Sequence, residues 1–226
     1  MSRILLIEDD ERIRASMTLA LEDEGYAIVG LSSAEEGLEH LREHPVDVVL
    51  LDVMLPGMDG LEFCRRLRSG SGVPVIMVTA RSDSDDVVAG LEAGADDYVT
   101  KPFVARELSL RIKSLLRRAG SSGSTPRQLR VGEIEIIPEA GEVTVSGEPV
   151  HLTRTEFRLL CELAESPGTV FSREQLLERV WGYDYFGDGR LVDVHVRRLR
   201  TKIEADPGRP AHLLTVRGLG YKLVGQ

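Results

Sequence analysis

Five short apolar runs, each followed by a stretch with helical periodicity, fill the first half of the chain and commit it to a layered α/β fold. The runs are Ile4 to Ile7, Ala27 to Leu31, Val46 to Leu51, Val73 to Val78 and Tyr98-Val99. Between them, Ile13, Met17, Ala20 and Leu21 recur at helical spacing and stop at Gly25, while Leu61, Cys64 and Leu67 do so and stop at Gly70. Leu108, Ile112, Leu115 and Leu116 form a last apolar stripe. Strands that alternate with helices predict a parallel, doubly wound sheet, whose ligand site belongs at the carboxyl ends of the strands near the switch in strand order.

The pattern changes at Gly120-Ser121-Ser122-Gly123-Ser124-Thr125-Pro126, a small, polar stretch with no apolar anchor. It reads as a flexible linker, so the chain divides into a first domain over 1–119, a linker over 120–127 and a second domain over 128–226. The second domain opens with short β-like pieces, Ile134 to Ile137 and Glu142 to Val145, turned by Gly141 and Gly147. Two capping boxes, Thr153-Arg154-Thr155-Glu156 and Ser172-Arg173-Glu174-Gln175, start helices. A third helix is expected over 190–204, and Leu213 to Val216 with Tyr221 to Val224 reads as a closing hairpin.

At 226 residues the chain suits two domains. Its apolar runs are too short to span a bilayer and no signal peptide precedes the first strand, so a cytoplasmic protein with no membrane partner is expected. Cys64 and Cys161 stand far apart, without neighbouring ligands, and read as reduced helix residues. The net charge of −9 looks wrong for a nucleic-acid binder, but it is uneven. Residues 1–119 carry 14 Lys/Arg against 22 Asp/Glu, whereas 120–226 carry 14 against 15, and Arg190 to Ile203 holds five cations and one acid. A duplex responds to that local distribution, not to the total.

Polar residues stand where an apolar core does not require them: Glu8-Asp9-Asp10 after the first strand, Asp52 after the third, Thr79 after the fourth and Lys101 after the fifth. In a parallel sheet these groups converge on one edge. Carboxylates gathered so closely call for a hard divalent cation, and partly hydrated Mg²⁺ suits an oxygen-lined pocket that also receives a phosphoryl group.

The blocks Ile7-Glu8-Asp9-Asp10, Leu51-Asp52-Val53-Met54-Leu55-Pro56-Gly57-Met58-Asp59-Gly60, Val78-Thr79-Ala80 and Thr100-Lys101-Pro102-Phe103 resemble the signature blocks of two-component response regulators. With the second half included, the whole chain resembles the OmpR/PhoB subfamily. That resemblance implies a flavodoxin-like (βα)5 receiver followed by an α+β winged helix-turn-helix domain. It makes Asp52 the acceptor of a phosphoryl group from a phosphohistidine on a sensor histidine kinase. Asp9, Asp52 and the backbone carbonyl of Met54 would ligate Mg²⁺, with Glu8 nearby, acting directly or through water. Lys101 and Thr79 would bind phosphoryl oxygens, and Tyr98 would turn inward as Thr79 moves.

The same resemblance implies a homodimer built on the fourth helix, fifth strand and fifth helix. Leu91 is the expected apolar patch residue, with Asp97 to Arg111, Asp96 to Arg118 and Glu92 to Lys113 as pairs across the interface. Val87 departs from the pattern, because relatives place a Lys or Arg there opposite the residue matching Glu107. In the second half, Val192, Val196, Leu199 and Ile203 make one apolar stripe, with Arg190, Val194, Arg197, Arg198 and Thr201 broadly opposite. Similarity assigns His195, Arg197, Arg198 and Arg200, with Arg190, to contacts with double-stranded DNA, and Arg217 to a minor-groove contact from the wing. Dimerisation on phosphorylation would seat two copies on tandem half-sites. Residues 181–189 resemble the loop that meets RNA polymerase, although Trp181 alone fits packing under the wing equally well.

Two other classes use overlapping features. An aspartyl-phosphate hydrolase of the haloacid dehalogenase type needs Asp-x-Asp after the first strand, whereas Met54 stands two residues after Asp52. A regulator that binds DNA regardless of phosphorylation, with the receiver as a protein-interaction module, is the main alternative. The chain is expected to be a transcription regulator and no enzyme beyond assisting its own Mg²⁺-dependent phosphoryl transfer and hydrolysis.

Overall fold

The computed structural model describes residues 1–80, 84–116, 128–182 and 189–225. The chain divides into two compact units, Met1–Leu116 and Arg117–Gln226.

In the first unit β1 (Arg3–Ile7), β2 (Ala27–Leu31), β3 (Val48–Asp52), β4 (Val75–Thr79) and β5 (Asp97–Thr100) form one sheet in the order β2-β1-β3-β4-β5. Every neighbouring pair is parallel. Five helices connect and flank the strands: α1 (Glu11–Asp23), α2 (Ala34–Glu43), α3 (Gly60–Arg68), α4 (Ser84–Ala93) and α5 (Ala105–Leu116). The inner strands β3 and β4 are buried along their whole length because helices cover both faces. One core cluster joins Ile4, Leu6, Val48, Leu50, Ile76 and Val78 to Met17, Leu21, Leu108 and Ile112 of α1 and α5.

Two strands begin later and end later than the apolar runs suggest. Val46 and Val73 stay outside because Asp47 is tied back to Arg3, through Arg3 N at 2.8 Å, and the Val73 carbonyl accepts from Arg68 at 2.6 Å. At the other end Asp52 and Thr79 are the last residues of their strands, not loop residues beyond them. Local caps then launch the helices. Asp10 accepts from the backbone N–H of Arg12 and Ile13 to start α1, and Asp59 accepts from Glu62 to start α3.

The second unit opens with an antiparallel meander of β6 (Leu129–Val131), β7 (Ile134–Ile137), β8 (Glu142–Val145) and β9 (Glu148–Pro149). β6 and β9 are too short to leave a periodic signal. Three helices follow, α6 (Arg154–Ala164), α7 (Arg173–Trp181) and α8 (Arg190–Ile203), and both expected capping boxes are formed. The hairpin of β10 (Leu213–Val216) and β11 (Gly220–Leu223) closes the unit. Phe171 exchanges two backbone hydrogen bonds with Tyr221, at 2.8 and 3.0 Å. A side chain at Gly220 would run into the Phe171 carbonyl, and its φ of +143° also favours glycine.

Candidate functional site

Sheet register assembles the acidic edge. Ile7 lies opposite Leu51, so the residues that follow, Glu8 and Asp52, come out side by side where strand order reverses between β1 and β3. On the far side, Thr79 pairs with Thr100 and the Lys101 N–H donates to the Thr79 carbonyl at 2.7 Å. Lys101 therefore enters the site from the end of β5. Its Nζ lies 2.6 Å from Glu8 Oε2 and 2.6 Å from Asp52 Oδ2.

Glu8, Asp52 and Thr79 are buried, and the Lys101 side chain is 17 % exposed. Burial pushes the Glu8 carboxyl above its ordinary range, against the pull of Lys101. Burial works against the charged form of Lys101 too, but its bonds to Asp52 and Glu8 outweigh it and hold the ammonium above its usual value. Glu8, Asp9 and Asp52 each place a carboxylate oxygen within 4.8 Å of the others. Such a hard-oxygen donor set fits Mg²⁺ and would not suit a softer metal. The Met54 N–H donates to Asp52 Oδ1 at 2.9 Å, which fixes that carboxylate, and the Met54 side chain is exposed. Tyr98 is half-buried.

Arg14 lay outside the sequence reading, and Asp10 and Gly60, named there within motifs, have supporting roles it did not assign. Arg14 donates to the carbonyls of Glu8 at 2.6 Å and Asp9 at 3.3 Å, pinning the acidic loop from α1. Asp10, adjacent to two ligand candidates, is a helix cap; its place immediately before an apolar-periodic stretch was the available signal. Gly60 packs on the backbone of Asp52 and Val53, where a side chain has no room.

The expected dimer residues take other positions. Leu91 is fully buried and is not a surface patch: Gly90 abuts Met77 of β4, and Val87 and Leu91 share that inward face at helical spacing. Asp96 is buried and pairs with Arg68 at 2.7 Å within its own unit. Asp97 pairs with Arg111 of the same protomer at 3.2 Å, and Arg111 also holds Glu107 at 2.8 Å. Lys113 meets Glu24 at 3.3 Å, while Glu92 is exposed. Arg118 lies outside the described residues.

In the second unit the buried face of α8 is wider than the single expected stripe. Leu191 and His195 are buried at i and i+4 beside Val192, Val196, Leu199 and Ile203; Arg198 continues that second row half-buried, and Lys202 ends it exposed. His195 is consequently buried, its ring centroid 5.3 Å from that of Trp181, and does not face a duplex in this conformation. Val194 is buried too, not on the outer face. Arg198 turns inward to Glu156 of α6 at 2.9 Å. Arg200 donates to the Leu213 carbonyl and to Thr215 Oγ1, both at 2.9 Å, and so braces the hairpin. Arg190 and Arg197 remain exposed on one helical face, as does Arg217 between the hairpin strands. Trp181 is buried, and residues 183–188 lie outside the described residues. Unforeseen was a latch in which Asp193 Oδ1 accepts from Tyr221 at 2.6 Å and from Arg173 at 2.7 Å, joining α8, β11 and α7.

A doubly wound sheet with an acid-and-lysine pocket at its switch point, followed by a three-helix unit with a terminal hairpin, is the build of a transcriptional response regulator. Residues 4–113 match the response regulator receiver domain family, and residues 147–223 match the family described as transcriptional regulatory protein, C terminal. The transcriptional regulatory protein CseB of Streptomyces avermitilis is 53% identical, over 98% of this chain and 97% of that protein. The DNA-binding response regulator MtrA of Mycolicibacterium smegmatis is 49% identical over 97% of this chain and 96% of its own. Among solved structures, Thermotoga maritima DrrB, an OmpR/PhoB homologue, is 36% identical with a TM-score of 0.53, and a RitR mutant is 28% identical with a TM-score of 0.81, each covering 100% of both chains. The chain belongs to the response-regulator family, with a receiver domain and an OmpR/PhoB-type DNA-binding domain, and it regulates transcription. Among the described residues no helix is long and apolar enough to cross a membrane.

Proposed function

We propose that Asp52 is the phosphoacceptor of this regulator and that a cognate sensor histidine kinase is its donor. The observation that carries the reading is the convergence of Lys101 on Asp52 and Glu8, beside the only group of three potential metal-ligating side chains among the described residues. An Asp52 carboxylate oxygen attacks phosphorus, the P–N bond to the kinase imidazole breaks, and its electron pair returns to that nitrogen, which takes up a proton. Asp9, Asp52 and the Met54 carbonyl hold Mg²⁺, with Glu8 beside them. The ion supplies neutralisation of the charge gathering on the transferred group. Lys101 neutralises a further oxygen from the opposite side, Thr79 donates its hydroxyl to another, and the half-buried Tyr98 follows Thr79 inward. These same groups assist hydrolysis of the acyl phosphate.

The new charge on Asp52 competes for Lys101, and the β4 and β5 ends respond. Two phosphorylated receivers then pair, and their winged-helix domains occupy tandem half-sites as a bivalent unit. Residues 1–119 form the receiver, 120–127 the linker and 128–226 the effector, working in the cytoplasm with RNA polymerase as the partner of the α7–α8 loop. Arg190, Arg197 and Arg217 are the cations placed for DNA, with Arg200 acting through the hairpin. Pairing uses the face of α4, β5 and α5; Glu92 and Lys113 are exposed there, whereas Asp97 and Arg111 exchange partners to take part.

Duplex binding by wild type and Asp52→Ala, at fixed salt, with and without a small phosphodonor and Mg²⁺, tests the switch. A gain confined to wild type is expected. Equal binding that ignores the phosphodonor leaves a phosphorylation-independent regulator in its place.

A further inference from the structure

Glu156 is fully buried on α6, yet two cations of α8 converge on it. Arg198 Nη2 lies 2.9 Å from Oε1 and Lys202 Nζ lies 2.7 Å from Oε2. Lys202 also donates to the His151 carbonyl at 3.1 Å. Oε2 accepts from the Thr153 N–H at 2.9 Å and so completes the capping box of α6. Burial raises the carboxyl's pKa, but Arg198 and Lys202 more than offset it and hold the group below its ordinary value, so it is an anion at neutral pH. One cation suffices to neutralise one carboxylate. The second leaves the group of three with a net positive charge, and the Lys202 side chain is 33 % exposed against 14 % for Arg198.

We propose that Glu156 is an internal stand-in for a DNA phosphate, holding Arg198 and Lys202 as its own counterions and withholding two of the five cations of α8 from the duplex. The inference rests on the DNA-binding reading of this domain. Carboxylate and phosphate oxygens accept the same charge-assisted bonds from guanidinium and ammonium groups. For Arg198 or Lys202 to reach a phosphate, a pair with a buried acid must break first, and that acid is left without compensation. The grip of a single domain stays weak as a result, and occupancy depends on two domains acting together.

The test is the salt dependence of binding by the full chain to a random-sequence duplex, for wild type, Glu156→Gln and Lys202→Gln. Glutamine at position 156 keeps an N3 residue able to close the capping box while removing the charge. Each cation newly placed on a phosphate steepens the slope of log Kobs against log[salt] by about 0.9, so Glu156→Gln should steepen it by about 0.9 to 1.8 and bind more tightly at low salt. Lys202→Gln should keep the wild-type slope, because Lys202 is already engaged. An unchanged slope in folded Glu156→Gln, or a slope about 0.9 shallower in Lys202→Gln, overturns the inference. The lysine variant decides the matter even if Glu156→Gln fails to fold. Absence of duplex binding by wild type removes the DNA-binding reading itself, and the inference with it.

Discussion

Lys101 donates to Asp52 across 2.6 Å although 49 residues separate them in the chain. The same ammonium bonds Glu8, so it is the counterion that lets two buried carboxylates share an edge. Lys101→Met should lower receiver stability by up to about 3 kcal/mol, the low end for a broken buried pair because the lysine is partly exposed. Millimolar Mg²⁺ should recover part of that loss, and by more than it stabilises wild type, as thermal unfolding with and without the ion would show. The pKa of Lys101 is raised in the folded state, so its contribution is complete below the ordinary value of 10.5 and fades as pH climbs through the folded one.

Asp9 has a different part. It is the exposed member of the acidic trio and can be removed without opening the core. Asp9→Ala should leave metal-free stability within about 0.5 kcal/mol of wild type. It should abolish most of the Mg²⁺-dependent rise in melting temperature, which for wild type corresponds to about 2.7 kcal/mol at a hundredfold excess over Kd. A rise equal to that of wild type would remove Asp9 from the ligand set.

Gly60 supports the backbone of Asp52 through its lack of a side chain. An added Cβ would fall on the Asp52 carbonyl oxygen and lie 2.9 Å from Val53 Cα, and both obstacles are backbone. Gly60→Ala should cost about 1 to 3 kcal/mol in urea unfolding and slow phosphoryl uptake by Asp52.

How far the sequence reached can be judged at such positions. Alternating apolar runs located all five receiver strands, and the polar residues at their ends located Glu8, Asp9, Asp52, Thr79 and Lys101, because strand period and topology leave few places for them. Hydroxyl caps followed three residues on by Glu156 or Gln175 located α6 and α7. What stayed hidden depends on approach between distant segments. Arg14 pinning the Glu8 loop, Asp96 held by Arg68, and Gly60 against Asp52 have no local periodicity that marks them. On α8, a spacing of i, i+4, i+7 identified one buried row correctly, but the adjacent row is buried at Leu191 and His195 and half-buried at Arg198, and that histidine and arginine were assigned to DNA. The residues Leu191, His195 and Arg198 show that a helix packed against two elements needs a broader inward face than apolar residues alone reveal.

Tyr221 ties the hairpin to the helix that carries Arg190 and Arg197. Its hydroxyl donates to Asp193 at 2.6 Å, and burial together with that bond pushes the phenol up to about 12. Tyr221→Phe retains the ring beneath Arg173, whose guanidinium carbon lies 5.2 Å from its centroid. Unfolding should therefore reveal a loss of about 1.5 kcal/mol, the lower range for a hydrogen bond to a charged group. Binding to a selected operator should weaken while the salt slope on random duplex holds. A parallel fall in both would assign Tyr221 to general folding.

Glu156 sets an acid limit on the second unit. Its folded pKa is depressed, so its contribution is present above the ordinary value of 4.5 and is lost as pH falls through the folded one. Unfolding of wild type as pH falls below 4.5 should show a drop that Glu156→Gln lacks. Equal pH profiles would show that the carboxylate contributes nothing to acid lability.

The route by which Lys101 reaches the acidic edge also bears on biosynthesis. Glu8 and Asp52 leave the ribosome well before β5, and their lysine is supplied only when that final strand docks beside β4. A nascent or truncated receiver thus carries Asp52 without the cation that pairs with it. The charge balance of the acidic edge is therefore reached only once the whole receiver has been made and folded.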